Sequence, residues 1–177
     1  QGSRETKGNM KKLGLLVAFV FMLIAVPTAS AAPTEIFGKI PCTTQGSGVR
    51  HCAGAGGAVA NTVNSLDDTP IDVNVALPDA AEFGPGPYPL AMYFHGFGGS
   101  KEGFNGNLKR FTDMGMAAFS MTERGFRESC GEGPAIAALE LAGQDCEDGF
   151  IHLMDTRYEV RDAQYFAGLL VDEGLVI

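Results

Sequence analysis

The residues best placed to do chemistry are His95-Gly96-Phe97-Gly98-Gly99, which follow directly on the apolar run 90–94. A run so short and so apolar reads as a strand buried on both faces, and the glycines after it mark a turn at the strand's end. Without a Cβ, such a turn brings backbone close to a bound group and directs its N–H groups outward. Backbone N–H donors aimed at a developing oxyanion can lower an acyl-transfer barrier by several kcal/mol. His95, at the end of the strand, is read as the side chain that orients this loop.

Arg124 and the four cysteines are the other candidates. Arg124 lies in Thr122-Glu123-Arg124-Gly125, just after the apolar stretch 116–121. That stretch reads as a second inner strand, and ligands of open α/β sheets bind at strand carboxyl ends. Two roles fit Arg124: a tie between this loop and a carboxylate, and a contact in the pocket. Cys42, Cys52, Cys130 and Cys146 form an even set at short spacings, which in an exported chain favours disulfides. Three pairings are open, and the nearest-neighbour scheme, Cys42–Cys52 with Cys130–Cys146, closes two glycine-containing loops. No metal site is expected. Zinc would need close Cys or His partners beyond His51 beside Cys52, and Asp145, Glu147 and Asp148 lack the alternation of a calcium loop.

The amino-terminal segment sets the compartment. Residues 1–9 read as a leader, and Met10-Lys11-Lys12 opens a secretory signal over 10–31, with 14 apolar positions from 13 to 26, Pro27, and Ala29-Ser30-Ala31 before the cut. Fourteen apolar residues fall short of the roughly 20 needed to span a bilayer, so no stable membrane span is expected after cleavage. Removing residues 1–31 takes four of the 13 Lys+Arg and one of the 21 Asp+Glu, leaving a net charge of −11. Nucleic acid and anionic membranes are thereby disfavoured as partners, since both need clustered cations. The chain is read as secreted or periplasmic, with residues 32–177 forming part of one modest domain.

The elements around the glycine turn follow from periodicity. Residues 71–77 alternate apolar and polar types, as a half-buried strand would. Residues 104–114 predict a helix ended by Gly115, and residues 135–142 a short helix inside the second cysteine loop. Asp155-Thr156 opens the clearest helix, with Thr156 and Glu159 at capping-box spacing and Val160, Ala163, Ala167 and Leu170 on one face, Phe166 beside it. Gly174 ends that helix, and Leu175-Val176-Ile177 begins another apolar strand.

The order strand, His95-Gly96-Phe97-Gly98-Gly99, helix resembles the oxyanion loop of α/β-hydrolases. Together with stretches 69–78, Thr122-Glu123-Arg124-Gly125-Phe126 and 154–162, it is similar to secreted hydrolases of the cocaine-esterase and X-prolyl dipeptidyl-peptidase-like group, over residues 36–177. The resemblance implies an α/β fold with a mixed, mostly parallel sheet flanked by helices, here incomplete. It also implies that the Phe97 N–H is one oxyanion donor and that small esters or peptides are the substrates, with no cofactor. The nucleophile of such enzymes stands in G-x-S-x-G, followed by an acid and then a histidine. No serine here stands in that motif, and His51, His95 and His152 all precede the place where it would fall. The chain is thus read as the amino-terminal portion of a serine hydrolase, inactive by itself. The alternative is a secreted, non-catalytic binding or structural domain stapled by two disulfides. Oligomeric state is not legible.

Overall fold

The computed structural model describes residues 32–177, together with Gln1 and Gly2. The signal segment expected over 10–31, and nearly all of the leader before it, lie outside the described residues. The strands are β1 (Glu35–Ile36), β2 (Ile40–Thr44), β3 (Arg50–Cys52), β4 (Thr62–Asn64), β5 (Pro70–Leu77), β6 (Leu90–Phe94) and β7 (Ala117–Met121). The helices are α1 (Ala58–Asn61), α2 (Ala80–Phe83), α3 (Lys109–Thr112), α4 (Gly133–Leu141) and α5 (Glu159–Asp172). The strands form a single sheet in the order β1-β2-β3-β5-β7-β6, with β4 also pairing β5.

This sheet is mixed but mostly antiparallel, which corrects the expectation of a mostly parallel one. Among the described strands only β6 and β7 pair parallel; the chain passes between them over a face of the sheet, through Phe104–Leu108 and α3. The strands from β1 to β5 pair antiparallel, and β5 pairs β7 antiparallel as well.

Two strand assignments change in a related way. β6 was expected deep in the sheet, yet every one of its residues is half-buried. β7 has inserted between β5 and β6, so β6 lies at the end of the strand order. On its far side, Tyr88 and Val176 form a parallel bridge, with Tyr88 N–H donating to Leu175 O at 3.0 Å and Ile177 N–H to Tyr88 O at 3.0 Å. β5 was expected half-buried and is instead buried at all its positions. Its polar residues are covered because each has a partner: Asp72 takes Lys101 Nζ at 2.6 Å, and Asn74 Nδ2 donates to Glu102 O at 2.8 Å.

α5 covers one face of the sheet. Phe166 and Leu170 are fully buried against Ile71, Val73 and Phe119, with the Phe119 and Phe166 rings stacked at 5.6 Å. The helix begins at Glu159, four residues beyond the expected start, and no side-chain cap forms. The buried face is Glu159, Asp162, Phe166 and Leu170, so two acids continue the apolar stripe that Val160 and Ala167 were expected to share. The opposite face carries Leu108 and Phe111 against Ala76 and Ala118. The helix expected over 104–114 breaks at Gly106, whose φ/ψ of −97°/−129° is non-helical, so only Lys109–Thr112 is regular.

Both disulfides join nearest neighbours: Cys42–Cys52 across a paired β2–β3 position, and Cys130–Cys146 around α4. Each removes loop entropy from the unfolded chain. Replacing both cysteines of the Cys130–Cys146 pair, 16 positions apart, by serine is expected to lower the unfolding free energy in urea by about 3 kcal/mol. A loss well under ~1 kcal/mol would show that this loop is held by packing rather than by its cross-link.

Candidate functional site

The parallel register sets Phe94 beside Met121, so β6 and β7 end at the same edge and the loops that follow them emerge together. The carboxyl end of β6 carries His95. Its Nε2 accepts the Glu123 N–H at 3.0 Å, so the ring proton sits on Nδ1, which donates to Gly96 O at 2.7 Å. Both ring nitrogens are thereby engaged, and His95 joins the two loops instead of offering a free base.

Gly99 N–H donates to Gly96 O at 2.9 Å, closing a four-residue turn with Phe97 and Gly98 at its centre. Gly98 has φ of +78°, the left-handed geometry that the third position of a type II turn demands. Gly99 is needed for a different reason, since a Cβ there would lie 2.9 Å from both Gly96 O and His95 Cβ. The Phe97 N–H has no hydrogen-bond partner among the described residues. Phe97 is 81% exposed, its ring leans edge-on against Phe126 at 5.4 Å, and Phe126 also supports His95 at 5.2 Å.

Beside this turn is a cavity of about 250 Å³ lined by His95, Phe97, Glu123, Phe126, Ile151, Leu153 and Met154. Glu123 is its one carboxylate. Burial pushes that carboxyl up, His95 pulls it down and Glu159 pushes it up again, leaving it above the ordinary value. The cavity thus combines a mainly apolar lining, one acid and a turn with a free backbone donor.

Arg124 is next to Glu123 but is not among the residues that line this cavity. It is fully buried, with Nε and an Nη on Asp162 at 2.8 and 2.6 Å, both Nη atoms on Asp67 at 2.8 and 3.1 Å, and Asp148 O at 3.1 Å. Burial alone would lower its pKa, but the bonds to Asp162 and Asp67 outweigh that and raise it. Every donor nitrogen is spent inside the protein, which is the tie to carboxylates and not the pocket contact.

A second cavity of about 250 Å³, on the other side of the Ser100 loop, is lined by Asp72, Asn74, Lys101 and Glu128 among others. Its ammonium and nearest carboxylate hold each other at 2.6 Å, and burial draws both toward neutrality, raising Asp72 and lowering Lys101. The other two histidines are held by packing: His51 lies 5.1 Å from the Phe104 ring, and His152 stacks on Tyr158 at 3.5 Å.

His95, Gly96, Phe97, Gly98 and Gly99 form the turn that leaves β6. Glu123, Phe126, Ile151, Leu153 and Met154 also line or brace the site and were not singled out from sequence. Comparison of the chain with protein-family models, with curated proteins and with solved structures yields no match.

The Arg124 cluster predicts two stability effects. Asp162→Ala strands a buried guanidinium and is expected to cost about 3 to 5 kcal/mol in urea unfolding; a cost under ~1 kcal/mol would contradict the tie. For Asp67, burial would raise the carboxyl, but hydrogen bonds from Arg124 and Thr69 hold it below its ordinary 3.8. A depressed folded-state value means that this contribution is complete above the unfolded pKa and is lost as pH falls through the lowered one. Stability below about pH 4 should therefore fall less steeply in Asp67→Asn than in the parent. Identical acid limbs would show that the pair contributes nothing.

Proposed function

We propose that this chain is the amino-terminal portion of an exported serine hydrolase, an acyl esterase or an X-prolyl dipeptidyl-peptidase-like enzyme, with the Phe97 N–H as one half of its oxyanion hole. The observation that carries this reading is the unpartnered Phe97 N–H, held in a type II turn at the carboxyl end of β6 on a mainly apolar cavity. A rigid donor costs no reorganisation as charge develops, which is why such turns stabilise transition states better than water does. The parallel approach of Leu175-Val176-Ile177 beside Tyr88 adds support, because it starts another parallel strand next to β6. In this reading that strand leads to the nucleophile. Two disulfides support export, since such cross-links persist in oxidising compartments.

In the proposed reaction a serine Oγ attacks the ester or amide carbonyl carbon while its proton passes to a base. The carbonyl electron pair moves onto oxygen, where the Phe97 N–H receives it. Collapse expels the alcohol or amine, which takes up the proton, and water then releases the acyl group. The acid, the base and the serine are supplied by sequence after Ile177, and residues 32–177 contribute the donor and one wall of the pocket.

Two measurements test this. Residues 32–177 alone should not turn over an activated ester; turnover abolished by a serine-directed inhibitor would mean that the nucleophile lies within them. In the protein continued through its G-x-S-x-G segment, Phe97→Pro should lower kcat about 10² to 10³-fold, because proline removes the N–H. Phe97→Ala keeps that N–H and should lose little. Equal losses from two folded variants would assign the effect to the ring, and a parent gene that stops without G-x-S-x-G would favour the non-catalytic, disulfide-stapled domain.

A further inference from the structure

One wall of the cavity is built from residues in an unfavourable backbone state. Leu153 and Met154 are consecutive, both non-glycine, and both left-handed, with φ of 57° and 61°. Each such residue costs of order 1 kcal/mol or more, so the segment needs an external restraint. Apolar side chains here also stay out in solvent, Leu153 at 72% exposure and Met154 at 51%, on a loop whose neighbours Phe150 and Ile151 are exposed as well.

The restraint is Glu159. Its carboxylate is 1% exposed, and it accepts the His152 N–H at 2.6 Å with one oxygen and the Asp155 N–H at 3.0 Å with the other. These two donors flank Leu153 and Met154 on either side. A single buried carboxylate thus bridges both ends of the strained pair, and no bond to the pair itself is needed. From the other side, Gly125 packs so closely that a Cβ there would lie 2.5 Å from Ile151 N. The loop is therefore in close contact with Gly125 at Ile151. Leu153 and Met154 remain on the cavity lining with Phe97, Phe126 and Ile151.

We propose that Glu159 is a positioning residue that holds Leu153 and Met154 as the selective wall of this cavity, and that the wall takes an alkyl or aryl group of the substrate. The inference deepens the hydrolase reading by naming the group that the same cavity accepts, yet its test needs no turnover. Burying apolar area on a preset wall is favourable in proportion to the area covered, whereas a loop free to relax would give that area up to its own packing.

The experiment titrates residues 32–177 with 1-propanol, 1-butanol and 1-pentanol, neutral probes that differ only in length, and follows the methyl resonances of Leu153 and Met154. Affinity is expected to rise about fourfold per added methylene, the increment for a fully buried CH₂. In Glu159→Gln, with amide dispersion retained, the increment should fall below about twofold, because one of the two flanking N–H groups then faces an amide NH₂ instead of an acceptor. Leu153→Ser with Met154→Ser, followed at the methyls of Ile151 on the same cavity lining, should do the same; these exposed side chains are not needed for folding, so this variant decides the matter if Glu159→Gln unfolds. An unchanged increment in either folded variant, or no shift at Leu153 and Met154 with any probe, overturns the proposal. A confirmed increment together with Phe97 variants that do not separate would leave the wall standing and remove the oxyanion reading alone.

Discussion

The constraint on which the site depends is the burial of one guanidinium. A charged group taken fully out of water is tolerable only when its hydrogen bonds are all met with good geometry, and Arg124 achieves this with Asp67, Asp162 and the Asp148 carbonyl. Those partners come from the turn ahead of β5, from α5 and from the segment just after the second disulfide, so meeting the demand brings three distant segments to the end of β7. The neighbours of Arg124 are fixed as a result. Glu123 directs its N–H at His95, His95 directs its own at Gly96, and the turn presenting Phe97 is set by a relay of two short hydrogen bonds.

α5 serves the same region twice. Asp162 and Glu159 are one turn apart on its buried face, the first holding Arg124 and the second holding the loop that carries Leu153 and Met154. Both sit near the amino terminus of the helix, where the backbone dipole favours negative charge. One rigid element therefore sets the donor turn, through Arg124, and the apolar wall, through Glu159. The apolar half of the same face, Phe166 and Leu170, fastens that element to the sheet.

The turn after β6 was legible in the sequence because glycine spacing after an apolar run has few structural meanings, and His95 to Gly99 do form a turn there. The disulfide pairs were legible as the nearest-neighbour choice among three. The sheet was less so. Asp72 and Asn74 give β5 the alternation of a half-exposed strand, and only their tertiary partners, Lys101 and Glu102, make burial possible. The insertion of β7 beside β5, which puts β6 at the end of the order, leaves no local signature at all. In α5 the local pattern misleads: Glu159 sits at capping-box spacing from Thr156, yet its carboxylate is spent on His152 and Asp155, and the helix starts later. Leu153 and Met154 carry no sequence mark of a left-handed backbone, since neither residue type favours it.

The central claim is that the Phe97 N–H meets the developing oxyanion. The most direct measurement is a crystal structure of the protein continued through its nucleophile segment, after reaction with a phosphonate that mimics the tetrahedral intermediate. The account predicts a phosphonyl group on a serine of that later segment, with its oxygen about 2.7 to 3.1 Å from Phe97 N and its substituent against Leu153 and Met154. A phosphonyl oxygen held by other donors, with Phe97 N out of hydrogen-bonding reach, would contradict it.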